Sequence, residues 1–177
     1  MTCSVREMID SDIEFVVDYF INADTEFLRG MGADKNKLPQ RDVWINSIRD
    51  ELNKPYKNKN LYYIIWLLDG QPVGHSNINH IAFGKTATMH LHLWKSNKRK
   101  SGLGSQFVKK CVPYYFKNFE LEALICEPYA ENPAPNKVLP KLGFEFKRTY
   151  LTTPGTICFP QMVNNYELTK EQFERGF

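Results

Sequence analysis

Residues 86–104 read TATMHLHLWKSNKRKSGLG, an alternating segment followed by a basic turn that contains two glycines. Apolar and polar side chains alternate from Thr86 to Trp94, which is the period of a β-strand with two different faces. Apolar residues then recur at helical spacing from about Gly102 to Lys117. The segment therefore predicts a strand, a tight turn and the first turn of a helix.

The turn over residues 99–104, RKSGLG, has the features of an anion-binding site. Glycine lets the backbone turn tightly and approach a ligand closely, and a helix N-terminus presents unpaired N–H groups with a positive dipole. Two common phosphate motifs do not fit here. Phe107 stands where a dinucleotide fingerprint needs a third glycine, and Ser105 follows Gly104 without the lysine of a P-loop.

The remaining periodicity predicts the order strand, helix, helix, three meandering strands, helix, strand, helix and two strands. This order favours an α/β (α+β) fold with a mixed, mostly antiparallel central sheet flanked by helices, in a single domain of residues 1–177. The predicted strands are Val5–Met8, Tyr62–Leu68, Pro72–Ile81, Thr86–Trp94, Leu121–Glu127, Phe144–Tyr150 and Met162–Leu168. The predicted helices are Ile13–Phe20, Val43–Leu52, Gly102–Lys117 and Asn132–Leu142.

Composition narrows the classes of function. A net charge of +3 is too small to indicate a nucleic-acid partner, and the short basic run at 95–100 is typical of a solvated loop. The first 30 residues are too charged for a signal peptide, and the longest apolar stretch, Tyr62–Leu68, is too short to cross a bilayer. Cys111 and Cys126 lie in apolar stretches and are predicted to be buried thiols. We therefore expect a cytoplasmic protein with no membrane or nucleic-acid partner.

Two motifs together resemble a known family. The turn also reads RxxGxG, which resembles the pyrophosphate-binding signature of the GNAT superfamily of N-acetyltransferases. A second motif, Asn132 followed by Lys141, Gly143 and Phe144, is similar to the closing pattern of that family. Among the branches of that family, the sequence most resembles the ribosomal-protein N-terminal acetyltransferase-like branch. The resemblance implies the GNAT acyl-CoA N-acyltransferase fold and acetyl-CoA as cosubstrate.

The resemblance also implies which residues bind acetyl-CoA. Backbone amides of the turn would bind the pyrophosphate, and backbone at the end of the preceding strand would bind the pantetheine arm. Asn132 would bind the same arm, although it equally fits a helix N-cap before Pro133. Lys137 or Lys141 would approach the nucleotide. The implied cofactor-binding residues are Leu93, Trp94, Arg99, Lys100, Ser101, Gly102, Leu103, Gly104, Asn132, Lys137 and Lys141.

Amine acetylation needs a base for the attacking amine and a donor for the oxyanion or thiolate. In the family a strand carboxylate often supplies the base, but the corresponding strand face here carries Thr88, His90 and His92. Histidine titrates near working pH, so His90 is the leading base candidate and His92 the second. Glu127 is a reserve base. Tyr129 is a candidate acid, because Leu139 stands where many relatives carry a tyrosine.

Other interpretations remain open. The two histidines equally fit the polar face of a strand, and as a metal pair they lack a third ligand at motif-like spacing, so no metal is expected. The leading function is an N-acetyltransferase acting on a small amine or a protein N-terminus by direct attack, as a monomer or homodimer. The alternatives are a non-catalytic acyl-CoA-binding module and a basic nucleic-acid-binding module. The long loop at 151–161 is expected to border the acceptor site.

Overall fold

In the computed structural model, residues 1–94 and 102–177 are described, and they form one seven-stranded sheet with helices on both faces. The strands are β1 (Cys3–Glu7), β2 (Tyr62–Leu68), β3 (Gln71–Ala82), β4 (Thr86–Leu93), β5 (Ala123–Cys126), β6 (Glu145–Thr152) and β7 (Gln161–Thr169). The helices are α1 (Ile13–Ile21), α2 (Thr25–Gly30), α3 (Arg41–Leu52), α4 (Leu103–Phe119), α5 (Pro133–Lys141) and α6 (Lys170–Glu174).

The sheet has the order β1-β2-β3-β4-β5-β7-β6. Only the central β4–β5 pair is parallel among the described strands; the other neighbouring pairs are antiparallel. The predicted mixed, mostly antiparallel sheet is therefore confirmed. Helices α2 and α6 are short and were not predicted from the sequence.

The alternation along β4 separates two hydrophobic cores. Ala87 and Met89 face α4 and belong to the core on that side, where Trp66 of β2 stacks on Phe107 of α4. The opposite face of the sheet packs against α1, α2 and α3, and His92 contacts the aromatic rings of α1 from that face. The predicted alternation of faces is thus confirmed, and it directs the polar side chains of β4 toward the α1–α3 side.

The parallel pair β4–β5 separates before β4 ends. Its register joins only Thr86–Thr88 to Ala123–Ile125, and the Cys126 thiol then donates to the Met89 carbonyl at 3.1 Å. Within the described part of the chain, no strand covers the β5-facing edge of β4 from His90 to Leu93. We call the space between this edge and residues 127–132 the strand gap.

Two further expectations concern burial and membranes. Cys111 and Cys126 are buried, as predicted, and burial raises the pKa of each thiol to about 12. No helix among the described residues is long and apolar enough to cross a membrane.

Candidate active site

The start of α4 lies at the end of the glycine-containing turn. Gly102 caps the helix with φ at +76°, a left-handed conformation that favours glycine. Gly104 lies in the first turn, and a Cβ placed there would meet no described atom within 4 Å. Leu103 is buried in the core, so its side chain is turned away from any ligand at the helix start. The predictions for Arg99, Lys100 and Ser101 fall on residues outside the described part of the chain.

Trp94 closes β4 on the α1–α3 side. Its backbone N–H donates to the Val73 carbonyl at 2.9 Å, and its indole Nε1 donates to Nδ1 of His75 at 2.8 Å. Its ring lies 6.0 Å from that of Phe15 on α1. Leu93, the preceding residue, is half-buried at the end of the strand gap. The roles predicted for Leu93 and Trp94 in binding pantetheine stay predictions.

A pair of histidines lies behind Trp94. His75 on β3 is only 1% exposed, and because Nδ1 accepts from Trp94, its proton must sit on Nε2. That Nε2 has no hydrogen-bond partner among the described residues. Burial lowers the pKa of His75 well below its ordinary value, so the ring is neutral. His92 stacks on His75 at 4.8 Å and contacts Tyr19 and Phe20 edge-on, which encloses it in aromatic rings.

His90 is half-buried at the start of the strand gap. Its Nε2 lies 3.0 Å from the side-chain oxygen of Asn79, which can only accept, so Nε2 carries the proton and Nδ1 the lone pair. Burial, with a smaller contribution from nearby His80, lowers the pKa of His90 to about 4. The expectation of a pKa close to working pH is therefore wrong for His90. The ring is neutral at pH 7 but is a weak base.

Glu127 directly follows β5 and lies beside His90. The last β4–β5 pair is Thr88 with Ile125, two residues before Glu127, and the Glu127 carboxylate is close enough to His90 for its charge to act to raise the pKa of that imidazole. Oε1 of Glu127 accepts from the Tyr150 hydroxyl at 2.5 Å and from Nδ2 of Asn165 at 2.6 Å. Oε2 makes no hydrogen bond to a described residue. The structure thus brings a carboxylate to the strand gap, held by two residues that the sequence analysis missed.

Tyr129 lies in the loop between β5 and α5. Its hydroxyl donates to Oε2 of Glu131 at 2.8 Å, a bond that raises the pKa of Tyr129. Its ring meets Phe159 edge-on, with centroids 5.7 Å apart. In this structure the hydroxyl is therefore directed to a neighbouring loop carboxylate, and its acid role stays a prediction.

The second motif lies on α5. Asn132 is the N-cap of this helix, and its side-chain oxygen accepts from the Ala134 N–H at 3.3 Å. The N-cap interpretation is confirmed, while binding of the pantetheine arm stays a prediction. Leu139 is fully buried. Lys137 and Lys141 are exposed, and their predicted approach to the nucleotide is likewise untested.

Asn136, on α5, joins the helix to β7 and was also missed by the sequence analysis. Its Nδ2 donates to the carbonyls of Tyr129 at 2.9 Å and Asn132 at 2.7 Å. Its Oδ1 accepts from Nδ2 of Asn164 at 2.8 Å and from the Tyr166 hydroxyl at 3.1 Å. One amide therefore fixes the loop at 127–132 against the sheet.

The loop between β6 and β7 packs onto the connection that follows α2. The Asp34 N–H donates to the Ile157 carbonyl at 2.8 Å, and buried Gln161 donates from Nε2 to the Gly32 carbonyl at 2.7 Å. The loop thus lies on the α1–α3 side of the sheet, where the polar face of β4 also points. Among the described residues, no group of three or more His, Cys, Asp or Glu side chains is arranged to hold a metal ion.

The sequence over residues 4–145 matches the family described as acetyltransferase (GNAT) domain. The chain therefore belongs to the GNAT acetyltransferase family, which confirms the resemblance seen in its two motifs. No curated protein sequence matches the chain significantly.

Solved structures share the fold at low sequence identity. Aminoglycoside acetyltransferase AAC(6')-Ib in complex with coenzyme A and kanamycin has a TM-score of 0.75 and 16% identity, with 99% of each chain covered. Spermidine N-acetyltransferase from Vibrio cholerae in complex with CoA and spermine has a TM-score of 0.78 and 12% identity, with coverage of 97% of this chain and 98% of that one. Ribosomal-protein-S5-alanine acetyltransferase from Vibrio fischeri has a TM-score of 0.77 and 16% identity, with coverage of 97% and 94%.

Proposed function

We propose that the chain is an N-acetyltransferase that moves the acetyl group of acetyl-CoA to a primary amine, on a small molecule or a protein N-terminus, by direct attack in a ternary complex. The proposal places this activity in one domain of residues 1–177, in the cytoplasm. The observation that carries it is the strand gap along the end of β4, together with the glycine-capped start of α4, the next helix in the chain. Family membership and the CoA complexes of similar structures support acetyl-CoA as the donor.

Gly104 supports binding of the donor at this helix start. Glycine within a helix costs about 0.5–1 kcal/mol relative to alanine. The described packing does not require it, because a Cβ at this position would meet no described atom within 4 Å. A ligand that approaches the backbone closely would require glycine at this position. The pyrophosphate of acetyl-CoA is such a ligand, because it can accept hydrogen bonds from the exposed N–H groups of a helix start. The pantetheine arm would then run along the edge of β4 that β5 leaves uncovered.

Glu127 is the base that the geometry favours. A carboxylate fixed through one oxygen, whose other oxygen makes no hydrogen bond to the described part of the chain, can accept a proton from an attacking amine directly or through water. His90, with its pKa lowered to about 4, is less suited to this role. We therefore assign the base to Glu127, with His90 as a polar residue at the start of the gap, while His92 is enclosed by aromatic rings on the α1 side.

The test is a transfer assay with acetyl-CoA and a panel of primary amines, including polyamines, aminoglycosides and short peptides with free N-termini. Release of the CoA thiol should depend on the amine, and the product should gain the mass of one acetyl group. Initial rates that vary both substrates should give the intersecting pattern of a ternary complex. Binding of acetyl-CoA without transfer to any amine would favour the non-catalytic acyl-CoA-binding module instead.

A further inference from the structure

Glu127 is held by a partner that comes from two strands away in the sheet. Tyr150 lies on β6, the edge strand, and its hydroxyl reaches past β7 to donate to Oε1 of Glu127 at 2.5 Å. Asn165 on β7 donates to the same oxygen at 2.6 Å. The guanidinium of Arg148 lies over the Tyr150 ring, 4.5 Å from its centroid. Two donors on one oxygen fix the carboxylate, and Oε2 has no hydrogen-bond partner among residues 1–94 and 102–177.

The site also needs a proton donor, since a thiolate departs as the amide forms. Leu139, fully buried, occupies the helix position where many relatives carry a tyrosine, and the Tyr129 hydroxyl is bonded to Glu131. Tyr150 is a phenol already placed on the carboxylate that receives the proton of the amine. The hydrogen bond to the charged Glu127 carboxylate raises the pKa of Tyr150, and this effect is lost once Glu127 takes up the proton of the amine, so Tyr150 becomes the stronger acid as the thiolate departs.

We propose, on the basis of the N-acetyltransferase function above, that Glu127 and Tyr150 act as one proton-transfer couple. Glu127 accepts the proton of the attacking amine, and Tyr150 donates a proton to the departing CoA thiolate. The inference goes beyond the proposed function because it assigns the acid of the reaction to a strand residue outside both family motifs.

The step balances within the couple. The neutral amine nitrogen forms the N–C bond to the thioester carbonyl, the C–S bond breaks, and the sulfur leaves with the electron pair. The nitrogen loses its extra proton to Glu127, and the thiolate takes the Tyr150 proton to become the CoA thiol. The carboxylic acid of Glu127 then returns a proton to the Tyr150 phenolate, which restores both groups.

The experiment compares variants in steady-state transfer between acetyl-CoA and the amine on which the wild type is most active. Tyr150→Phe removes the hydroxyl, and with it the proton to be donated, but keeps the aromatic ring. We expect kcat to fall about 10²-fold and KM for acetyl-CoA to change little. The basic limb of the pH–kcat profile, which reports the protonated phenol, should disappear. Asn165→Ala removes the other donor to the same oxygen, so it should cost less and keep that limb. Tyr56→Phe, which removes a phenol–carboxylate bond to Glu7 at 2.9 Å elsewhere, is the matched control.

A double-mutant cycle tests the coupling and guards against misfolding. Glu127→Gln should lower kcat to a similar degree, and the double variant should be no slower than the slower single variant, because the two groups act as one unit. Thermal unfolding of each variant checks that the fold persists. Any one of three results would overturn the inference alone. The first is full kcat in Tyr150→Phe, and the second is equal losses of kcat with unchanged pH profiles in Tyr150→Phe and Asn165→Ala. The third is losses of kcat that multiply in the double variant. A wild type that transfers to no amine would overturn the proposed function and the inference with it.

Discussion

Asn136→Ala should destabilise the protein more than a single lost hydrogen bond would. The side chain makes four strong hydrogen bonds, and its removal leaves Asn164, the buried Tyr166 and two loop carbonyls without their partner. A lost hydrogen bond costs about 1 kcal/mol net, and more when a buried partner stays unsatisfied. Water can reach the half-buried carbonyls but not Tyr166 so readily. The expected loss in the free energy of unfolding is therefore about 2–4 kcal/mol.

Denaturant unfolding followed by circular dichroism measures this loss, with the midpoint falling and the slope unchanged. The matched control is Asn118→Ala, because Asn118 makes one side-chain hydrogen bond to the described residues, from Nδ2 to the Tyr62 hydroxyl at 3.0 Å. The control should lose only about 1 kcal/mol. An Asn136→Ala loss no larger than that of the control would refute the view that this amide joins the loop at 127–132 to the sheet.

Two further predictions concern the strands around the gap. Gly74→Ala should lower the free energy of unfolding by about 1–3 kcal/mol, because the new Cβ would lie 2.5 Å from the His92 carbonyl oxygen. The control is Gly30→Ala, whose added Cβ meets no described atom within 4 Å. A change in Gly74→Ala as small as that of the control would contradict this packing. Folding lowers the pKa of His90 from 6.5 to about 4, so its contribution to stability is complete above about pH 6.5 and is lost as pH falls toward 4. His90→Gln should therefore flatten the fall in stability over that range, by at most about 3 kcal/mol, and an unchanged pH dependence would count against a neutral, half-buried ring.

The sequence predicted the order of the main elements because their periodicity is strong. The alternation of β4 assigned its two faces correctly, and the glycines marked the start of α4 within a residue or two. The short helix α2 was missed because six residues carry too little periodicity to separate a helix from a loop. Strand bounds that differed did so by one or two residues, as at β5, which was predicted to end at Glu127 and ends at Cys126.

The candidate site was less predictable because its members are brought together by the sheet order. Tyr150 and Asn165 reach Glu127 only because β7 and β6 follow β5 in the sheet, and no local pattern encodes that neighbourhood. His75 shows the same limit, since its bond to Trp94 depends on the pairing of β3 with β4. The pKa of His90 depends on burial and on His80, neither of which spacing along one strand reveals.

Binding of acetyl-CoA by Gly104→Leu, compared with the wild type and with Gly30→Leu, tests the central claim most directly. Gly104→Leu places a side chain in the space beside the start of α4, and its fold is checked by thermal unfolding without ligand. At a hundredfold excess of acetyl-CoA over its dissociation constant, the wild type and Gly30→Leu should each gain about 2.7 kcal/mol of stability. Gly104→Leu should stay folded and lose this gain. A full gain in folded Gly104→Leu would contradict the placement of acetyl-CoA at this helix start.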